Sequence, residues 1–408
     1  MMNFLIISDD LTGATDSAAA FLTHGIHPRI SLGFKANLNR QAAVEVIDLD
    51  VREKQVERAT QSVRKVLKAE SSIEGAECRT LFLKIDSTLR GHVRAYVEAL
   101  ISTAPKKPIL ICPAFPEQGR TVEQGQVKIF GETFGLSEYG RGQNLTDVDG
   151  NLLTIFGGLR RPTKHLNCQH TPYDENSLKN WFNQSKTEPA SIYLIDAPDR
   201  EHMDRAIEAA TCVLGQCHYA GSGGLTRSLA LNMNSPDTHQ PFHPLPPTLW
   251  LIGSAAKASH KQIAQLDLVK LETNAQGELS NEDQSRQHSL LQQGTSVVTH
   301  LPSPDPAQTL SPNLIEPFIK TAIPIPLLAR TLFLTGGATA RAALDKLGVH
   351  HIDLIDEILP GIPIGAAMID NQICHIVLKS GGFGDDKALS TIQTYLNTHF
   401  SEFEKENL

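Results

Sequence analysis

The feature that most constrains how this chain can fold is a short apolar run that breaks at once into a polar loop. Leu81, Phe82, Leu83 and Ile85 form such a run, which passes into Asp86-Ser87-Thr88-Leu89-Arg90-Gly91 and then a helical stretch from about Val93 to Ser102. A continuous apolar run of this kind reads as a buried strand. Open α/β sheets bind ligands beyond the carboxyl ends of their strands. A carboxylate, two hydroxyls, a guanidinium and a glycine on one such turn therefore have two readings. Asp and Ser build turns by bonding their own backbone, and the same groups bind polar ligands.

The event recurs along the chain. Phe4 to Ile7 reads as a strand, Ser8 to Asp16 as a polar loop, and Ser17 to Leu22 as helix. That loop region carries Asp9, Asp10 and Asp16. Helix capping accounts for one of them, and crowded like charges cost energy unless a cation or a proton is shared. His27 to Phe34 and Ala43 to Leu49 read as strands, the second running into Asp48 and Arg52, with a helix from about Glu53 to Lys68 behind it. A strand from Pro108 leads to Pro113-Ala114-Phe115-Pro116 and Arg120. Strand ends in this half thus carry Asp9/Asp10, Asp48/Arg52, Asp86/Arg90 and Arg120. Arginine's planar fork suits carboxylate or phosphate oxygens, so the pattern points to a small polyhydroxylated anion. Surface ion pairing explains single pairs better than a repeated position.

Residues 121–190 are punctuated by glycines and read as loops and short strands, to which no chemistry is assigned. Ser191 to Ala197 reads as a strand, and Gly221-Ser222-Gly223-Gly224 as the opening of a helix, its glycines permitting close approach to a ligand or a neighbouring element. Pro236, Pro241, Pro244, Pro246 and Pro247 mark a semi-rigid connector over 236–247, dividing domains at 1–235 and 248–408. In the second half, Thr248 to Ile252, Thr331 to Leu334 and Ile373 to Leu378 read as strands. They end in Gly253-Ser254, Gly336-Gly337-Ala338-Thr339 and Lys379-Ser380-Gly381-Gly382-Phe383-Gly384. Glycines between strand and helix expose backbone N–H groups that seat phosphate oxygens, and three such loops favour nucleotide binding. Neither a P-loop nor the dinucleotide fingerprint is present, which places a nicotinamide oxidoreductase a distant third among the readings. Residues 272–293 are polar and expected to vary in conformation, and Gly361-Ile362-Pro363-Ile364-Gly365 reads as a tight turn.

The bulk numbers agree with an α/β protein of two domains, each a mostly parallel sheet flanked by helices. A chain of 408 residues exceeds what one core usually holds, and 40% hydrophobic with 20% charged residues is ordinary for a globular protein. A net charge of -8 argues against a nucleic-acid or membrane-surface binder. Cys78, Cys112, Cys168, Cys212, Cys217 and Cys374 are scattered, without zinc-site spacing, as in a cytoplasmic protein. The apolar start is too short for a signal peptide.

In that order, Asp9-Asp10-Leu11-Thr12-Gly13-Ala14, Lys84-Ile85-Asp86-Ser87-Thr88-Leu89-Arg90-Gly91, Pro113-Ala114-Phe115-Pro116 with Gly119-Arg120, Gly253-Ser254, Gly336-Gly337-Ala338-Thr339 and Lys379-Ser380-Gly381-Gly382-Phe383-Gly384 occur along the chain. Together they resemble the four-carbon acid sugar kinase family, once a domain of unknown function, over nearly the whole length. The resemblance implies an N-terminal domain for the sugar acid and a C-terminal domain for ATP with Mg2+, and transfer of the γ-phosphoryl to a terminal hydroxyl of threonate, erythronate or 3-oxo-tetronate. The charged strand ends themselves suggest the acceptor site: Asp9, Asp10 or Asp86 orients the hydroxyl or accepts its proton, and Arg90 and Arg120 hold the substrate carboxylate with Asp16, Ser87 and Thr88 around it. Under the resemblance, Ser254, Gly336, Gly337, Thr339, Gly381 and Gly382 hold the nucleotide. No metal ligands are assigned, and homo-oligomerisation is left open. Ala338 stands where the family has Asp or Glu, which gives the alternative of a non-catalytic or altered-specificity sugar-acid or nucleotide-binding protein.

Overall fold

The computed structural model describes residues 3–34, 38–73, 79–103, 107–136, 149–186, 191–233, 244–254, 257–303 and 313–406. The chain forms two compact units, Met1–Ile26 with Gly33–Ser235 and His27–Leu32 with Pro236–Leu408. Most of the proline connector, residues 236–243, lies outside the described residues, as does Cys78.

The first unit is built on parallel strands in the spatial order Val44–Asp48, Phe4–Ser8, Thr80–Lys84, His218–Gly221, Ile109–Cys112, Ile192–Ile195 and Thr163–Leu166. Every residue of the Phe4–Ser8, Val44–Asp48 and Thr80–Lys84 strands is buried; the apolar cores of the first and third suit this, and in the second Glu45 is buried against Arg79 at 3.1 Å. The register pairs Ser8 with both Asp48 and Lys84, so the loops that follow these strands emerge side by side. The glycine-punctuated region holds more order than its composition suggests. Arg120–Glu123, Gln126–Ile129 and Glu132–Thr133 make a small antiparallel sheet, and Glu175–Ser185 is a helix capped by Asp174. The fully buried Asp196 carboxylate fixes that small sheet, accepting from the amides of Gln124 (2.7 Å), Gly125 (2.8 Å) and Cys168 (3.2 Å) and pairing with His165 Nε2 (2.8 Å).

The sheet of the second unit runs Val269–Glu272, Val297–His300, Thr248–Ile252, Thr331–Thr335, Gln372–Lys379, Ile362–Ile369, His351–Leu359 and Arg29–Leu32. Its first five strands are parallel and its last three antiparallel. The Arg29–Leu32 strand comes from early in the sequence and is bound here by the Arg29–Asp353 ion pair at 2.6 Å and by Leu32 N–H to His350 O at 2.8 Å. Two expectations are corrected in this unit. Residues 281–292 are a helix, Asn281–Gln292, started by the Ser280 side chain accepting from Asp283 N–H. Its apolar content is too low to show a stripe, and only Gln287 and Leu291 are buried. The expected turn at 361–365 is instead the start of the Ile362–Ile369 strand, because the reversal is complete at Gly361, whose φ is +78°.

Candidate active site

Three adjacent strand ends of the first unit bring their polar loops together around Arg52. The backbone first sets its reach: Val51 and Arg52 N–H donate to Asp9 O at 2.9 and 3.1 Å. Arg52 Nη2 then donates to Asp9 Oδ1 at 2.6 Å and to Asp10 Oδ1 at 2.9 Å, and Nη1 to Asp10 Oδ2 at 2.5 Å. The same Nη1 lies 3.5 Å from Asp86 Oδ2. One planar cation thus ties three carboxylates from two loops, as its fork geometry permits.

Asp86 builds the turn with one carboxylate oxygen and pairs with arginine through the other. Its Oδ1 accepts from Thr88 N–H at 2.7 Å and from the Thr88 hydroxyl, which builds the turn. Its Oδ2 accepts from Arg90 Nη2 at 2.6 Å and Nε at 3.1 Å. Leu89, with φ +57°, and Gly91, with φ +83°, bend the chain so that Arg90 returns to Asp86. A Cβ at Gly91 would lie 2.6 Å from Asp9 Oδ2, so the absence of a side chain there gives the carboxylate its room. Gly13 does the same on the other side: a Cβ would meet Asp10 Oδ1 at 2.7 Å and Lys84 Nζ at 2.9 Å. Asp10 caps the helix Leu11–Leu22, its Oδ1 accepting from Gly13 N–H at 2.8 Å.

These contacts separate the electrostatics of the carboxylates. Burial dominates at Asp9 and raises its pKa above the usual carboxylate range despite Arg52. Burial acts in the same direction on Asp86, but Arg90, Arg52 and Lys84 outweigh it and hold its pKa well below that range. Arg52 loses solvation by burial and is nonetheless held more firmly charged by Asp10 and Asp9.

Of the other expected residues, Ser87 stays on the Asp86 turn, and Asp16 and Arg120 lie elsewhere in the unit. Asp16 is buried one turn along the Leu11–Leu22 helix, where a Cβ on Gly223 would fall 1.9 Å from its Oδ2. The Gly223-Gly224 pair therefore admits a neighbouring element, the Asp16 side chain and, 2.6 Å from a Gly224 Cβ, the carbonyl of Ala114. Ser87 is half-buried on the Asp86 turn. Arg120 begins the small antiparallel sheet, stacks over Phe130 at 5.5 Å and donates to Gln118 O. Sequence reasoning omitted two residues from its site set, Arg52 and Lys84. The signal for both was present: Arg52 follows a strand ending in Asp48, and Lys84 is the last residue of the strand that feeds Asp86.

In the second unit, the strands ending at Ile252, Thr335 and Lys379 are adjacent and in register, so the three glycine-rich loops are neighbours. Gly336 has φ +93° and donates to Lys379 O at 3.0 Å, and the helix Gly337–Lys346 starts directly after it. A Cβ on Gly253 would lie 2.1 Å from the buried Thr339 hydroxyl. The Ser380–Asp385 loop has its carbonyls drawn toward the helix Lys257–Ala264. The Ser259 hydroxyl donates to Gly381 O at 2.9 Å, and Gln262 Nε2 donates to Phe383 O, Gly384 O and Asp385 O at 3.3, 3.2 and 2.7 Å. In a planar trans peptide the next N–H points opposite to the carbonyl, so the amides of Gly382, Gly384 and Asp385 are turned away from that helix. Backbone amides turned the same way in a row are the arrangement that forms anion-binding concavities in proteins. Ala338 is exposed on the first helical turn, which carries no acidic side chain to compete with an anion for the positive helix end.

Comparison with known proteins assigns a class to each unit. Residues 4–229 match the family model described as a sugar-binding N-terminal domain, and residues 249–389 the one described as a nucleotide-binding C-terminal domain. The D-threonate kinase of Cupriavidus necator is 30% identical over 413 residues, covering 95% of this chain and 96% of the relative. The 3-oxo-tetronate kinase of Burkholderia multivorans is 26% identical, with 95% and 96% covered. A crystal structure of a Haemophilus influenzae protein of family-model DUF1537 superimposes with a TM-score of 0.77 at 19% identity, covering 96% of this chain and all of that one, and shares the fold. The chain belongs to the four-carbon acid sugar kinase family. It is a sugar acid kinase. Among the described residues no helix is long and apolar enough to cross a membrane.

Proposed function

We propose that this protein transfers the γ-phosphoryl group of ATP to the terminal hydroxyl of a four-carbon sugar acid of the threonate, erythronate or 3-oxo-tetronate type. The observation that carries the reading is the Asp9, Asp10, Asp86, Arg52 and Arg90 cluster at adjacent strand ends of the unit that matches a sugar-binding model. In this reading Arg90, whose side chain is 49% exposed, holds the acid's carboxylate. Asp9, the carboxylate with the raised pKa, takes the proton of the attacking hydroxyl. The hydroxyl oxygen bonds to the γ-phosphorus as the bond from that phosphorus to the β,γ-bridging oxygen breaks, and ADP leaves. Phosphoryl transfer asks mainly for positioning and charge neutralisation, which this cluster and the amide cradle of the second unit provide. Mg2+ enters with ATP as the counterion of its phosphates.

A coupled assay of ADP release with a panel of tetronates tests this. The parent should turn over at least one of them, with Asp9→Asn and Arg90→Ala each lowering kcat/KM by about 100-fold or more. Activity on a tetronate that both substitutions leave unchanged would overturn the site assignment.

A further inference from the structure

Lys379 is the last residue of the Gln372–Lys379 strand and is 3% exposed, yet it has no ion-pair partner among the described residues. Among the described residues its ammonium donates to carbonyl oxygens alone, Ser380 O at 3.1 Å and Gly381 O at 3.4 Å. An unpaired buried charge is costly, and proteins rarely keep one without a counter-charge that arrives from elsewhere. A second buried group beside it also lacks a partner. Thr335 is 1% exposed and the Cα register partner of Lys379 in the adjacent parallel strand, so the two side chains leave the same face of the sheet. The Thr335 hydroxyl has no hydrogen-bond partner among the described residues. Below them on that face lie Trp250, Phe333 and Val377 of the core, which give the pair no polar contact. Above them is the loop whose carbonyls are drawn inward, with Lys379 contributing the first two of those bonds.

We propose that Lys379 is a nucleotide-binding residue that supplies the counter-charge to a nucleotide phosphate, with Thr335 donating beside it. The ammonium then has two tasks that reinforce each other. It holds the Ser380 and Gly381 carbonyls inward, which turns the following amides outward, and it places a positive charge behind those amides. A polyphosphate seated on the cradle neutralises a charge that is otherwise buried at a cost. Burial alone pushes the Lys379 ammonium down to about 8, the direction expected of a cation without a partner. This inference rests on the nucleotide-binding reading of the second unit and deepens it by naming the phosphate, not the nucleoside, as what Lys379 senses.

The test compares ADP with adenosine on the full chain, by calorimetry and by the shift of the melting midpoint. For Lys379→Met we expect ADP affinity to fall on the order of 30-fold while adenosine affinity changes by less than about threefold. The ligand-free melting midpoint should hold or rise, because the variant removes an unpaired buried charge. Lys379→Arg should recover part of the ADP affinity. Equal losses for ADP and adenosine would make the residue a structural support of the loop and overturn the proposal, as would unchanged ADP affinity in Lys379→Met. If the parent binds neither ligand, the nucleotide reading falls and this inference falls with it.

Discussion

Arg52 and Asp9 meet through two near-parallel hydrogen bonds, Nη2 to Oδ1 at 2.6 Å and Nε to Oδ2 at 3.2 Å, with the Asp9 side chain buried and that of Arg52 10% exposed. The same guanidinium serves Asp10, so one cation is hydrogen-bonded to both carboxylates of the adjacent pair. Removing one member of a buried pair leaves the other uncompensated. Arg52→Met should therefore destabilise the protein by about 3 kcal/mol or more at pH 7 and abolish turnover. The loss should shrink at lower pH, where Asp9 takes up a proton. Urea unfolding at pH 7 and pH 5 checks this, and a loss equal at both pH values would contradict it.

Gly91 and Gly33 separate backbone strain from crowding. Both have positive φ, +83° and +76°, but a Cβ at Gly91 would meet Asp9 Oδ2 at 2.6 Å while one at Gly33 would meet nothing within 4 Å. Alanine at either position should cost about 1–2 kcal/mol from the left-handed backbone. Only Gly91→Ala should also lower kcat/KM, by about tenfold or more, because it displaces the Asp9 carboxylate. A tetronate phosphorylation assay beside unfolding curves distinguishes the two terms.

Much of this architecture was legible in the residues. The apolar runs Phe4–Ile7, Leu81–Leu83 and Leu332–Leu334 read as buried strands and lie in strands whose every residue is buried, and each strand is followed by a loop of the proposed sites. The Asp86 turn was readable because short polar side chains bond their own backbone. What pattern could not supply was partnership. Arg52 stands about forty residues from Asp9 and Asp10, and only the pairing of their strands in the sheet brings it to them. The same limit hid the place of Arg29–Leu32, which reads as a strand but does not state which sheet it joins. The helix Asn281–Gln292 escaped because it buries so little that hydrophobic periodicity is absent, although Ser280 with Asp283 marked its start.

Asp9 and Asp86 should respond to pH in opposite directions. An unfolded Asp titrates near 3.9. Asp86 is held below that, so its ionised form contributes stability that is present above about pH 4 and lost only as pH falls further. Asp9 is raised, so ionising it in the folded state costs stability as pH climbs from about 4 through its folded pKa. Asp86→Asn should destabilise at pH 7. Asp9→Asn should be neutral or stabilising there while lowering kcat on the order of 100-fold or more. Unfolding free energies between pH 4 and 8, set beside the acid limb of the kcat/KM profile, test both, and Asp9→Asn should remove that limb.

Gly253 and Thr339 offer a test confined to the second unit. A methyl group at Gly253 would sit 2.1 Å from Thr339 Oγ1 and 2.9 Å from Cγ2, with Thr339 Cβ behind them at 3.0 Å. Gly253→Ala alone must therefore push Thr339 or its own loop aside, at an expected cost of about 1–3 kcal/mol. Thr339→Ala removes the two nearest atoms and leaves a contact that a small shift relieves. The double variant should accordingly recover most of the stability lost by Gly253→Ala, with a coupling energy of about 1 kcal/mol or more. In kinetics, Gly253→Ala should raise KM for ATP by about tenfold while KM for the sugar acid stays within about twofold, because the proposed acid site lies in the other unit. Parallel increases in both constants would mean that Gly253 shapes more than the nucleotide loop.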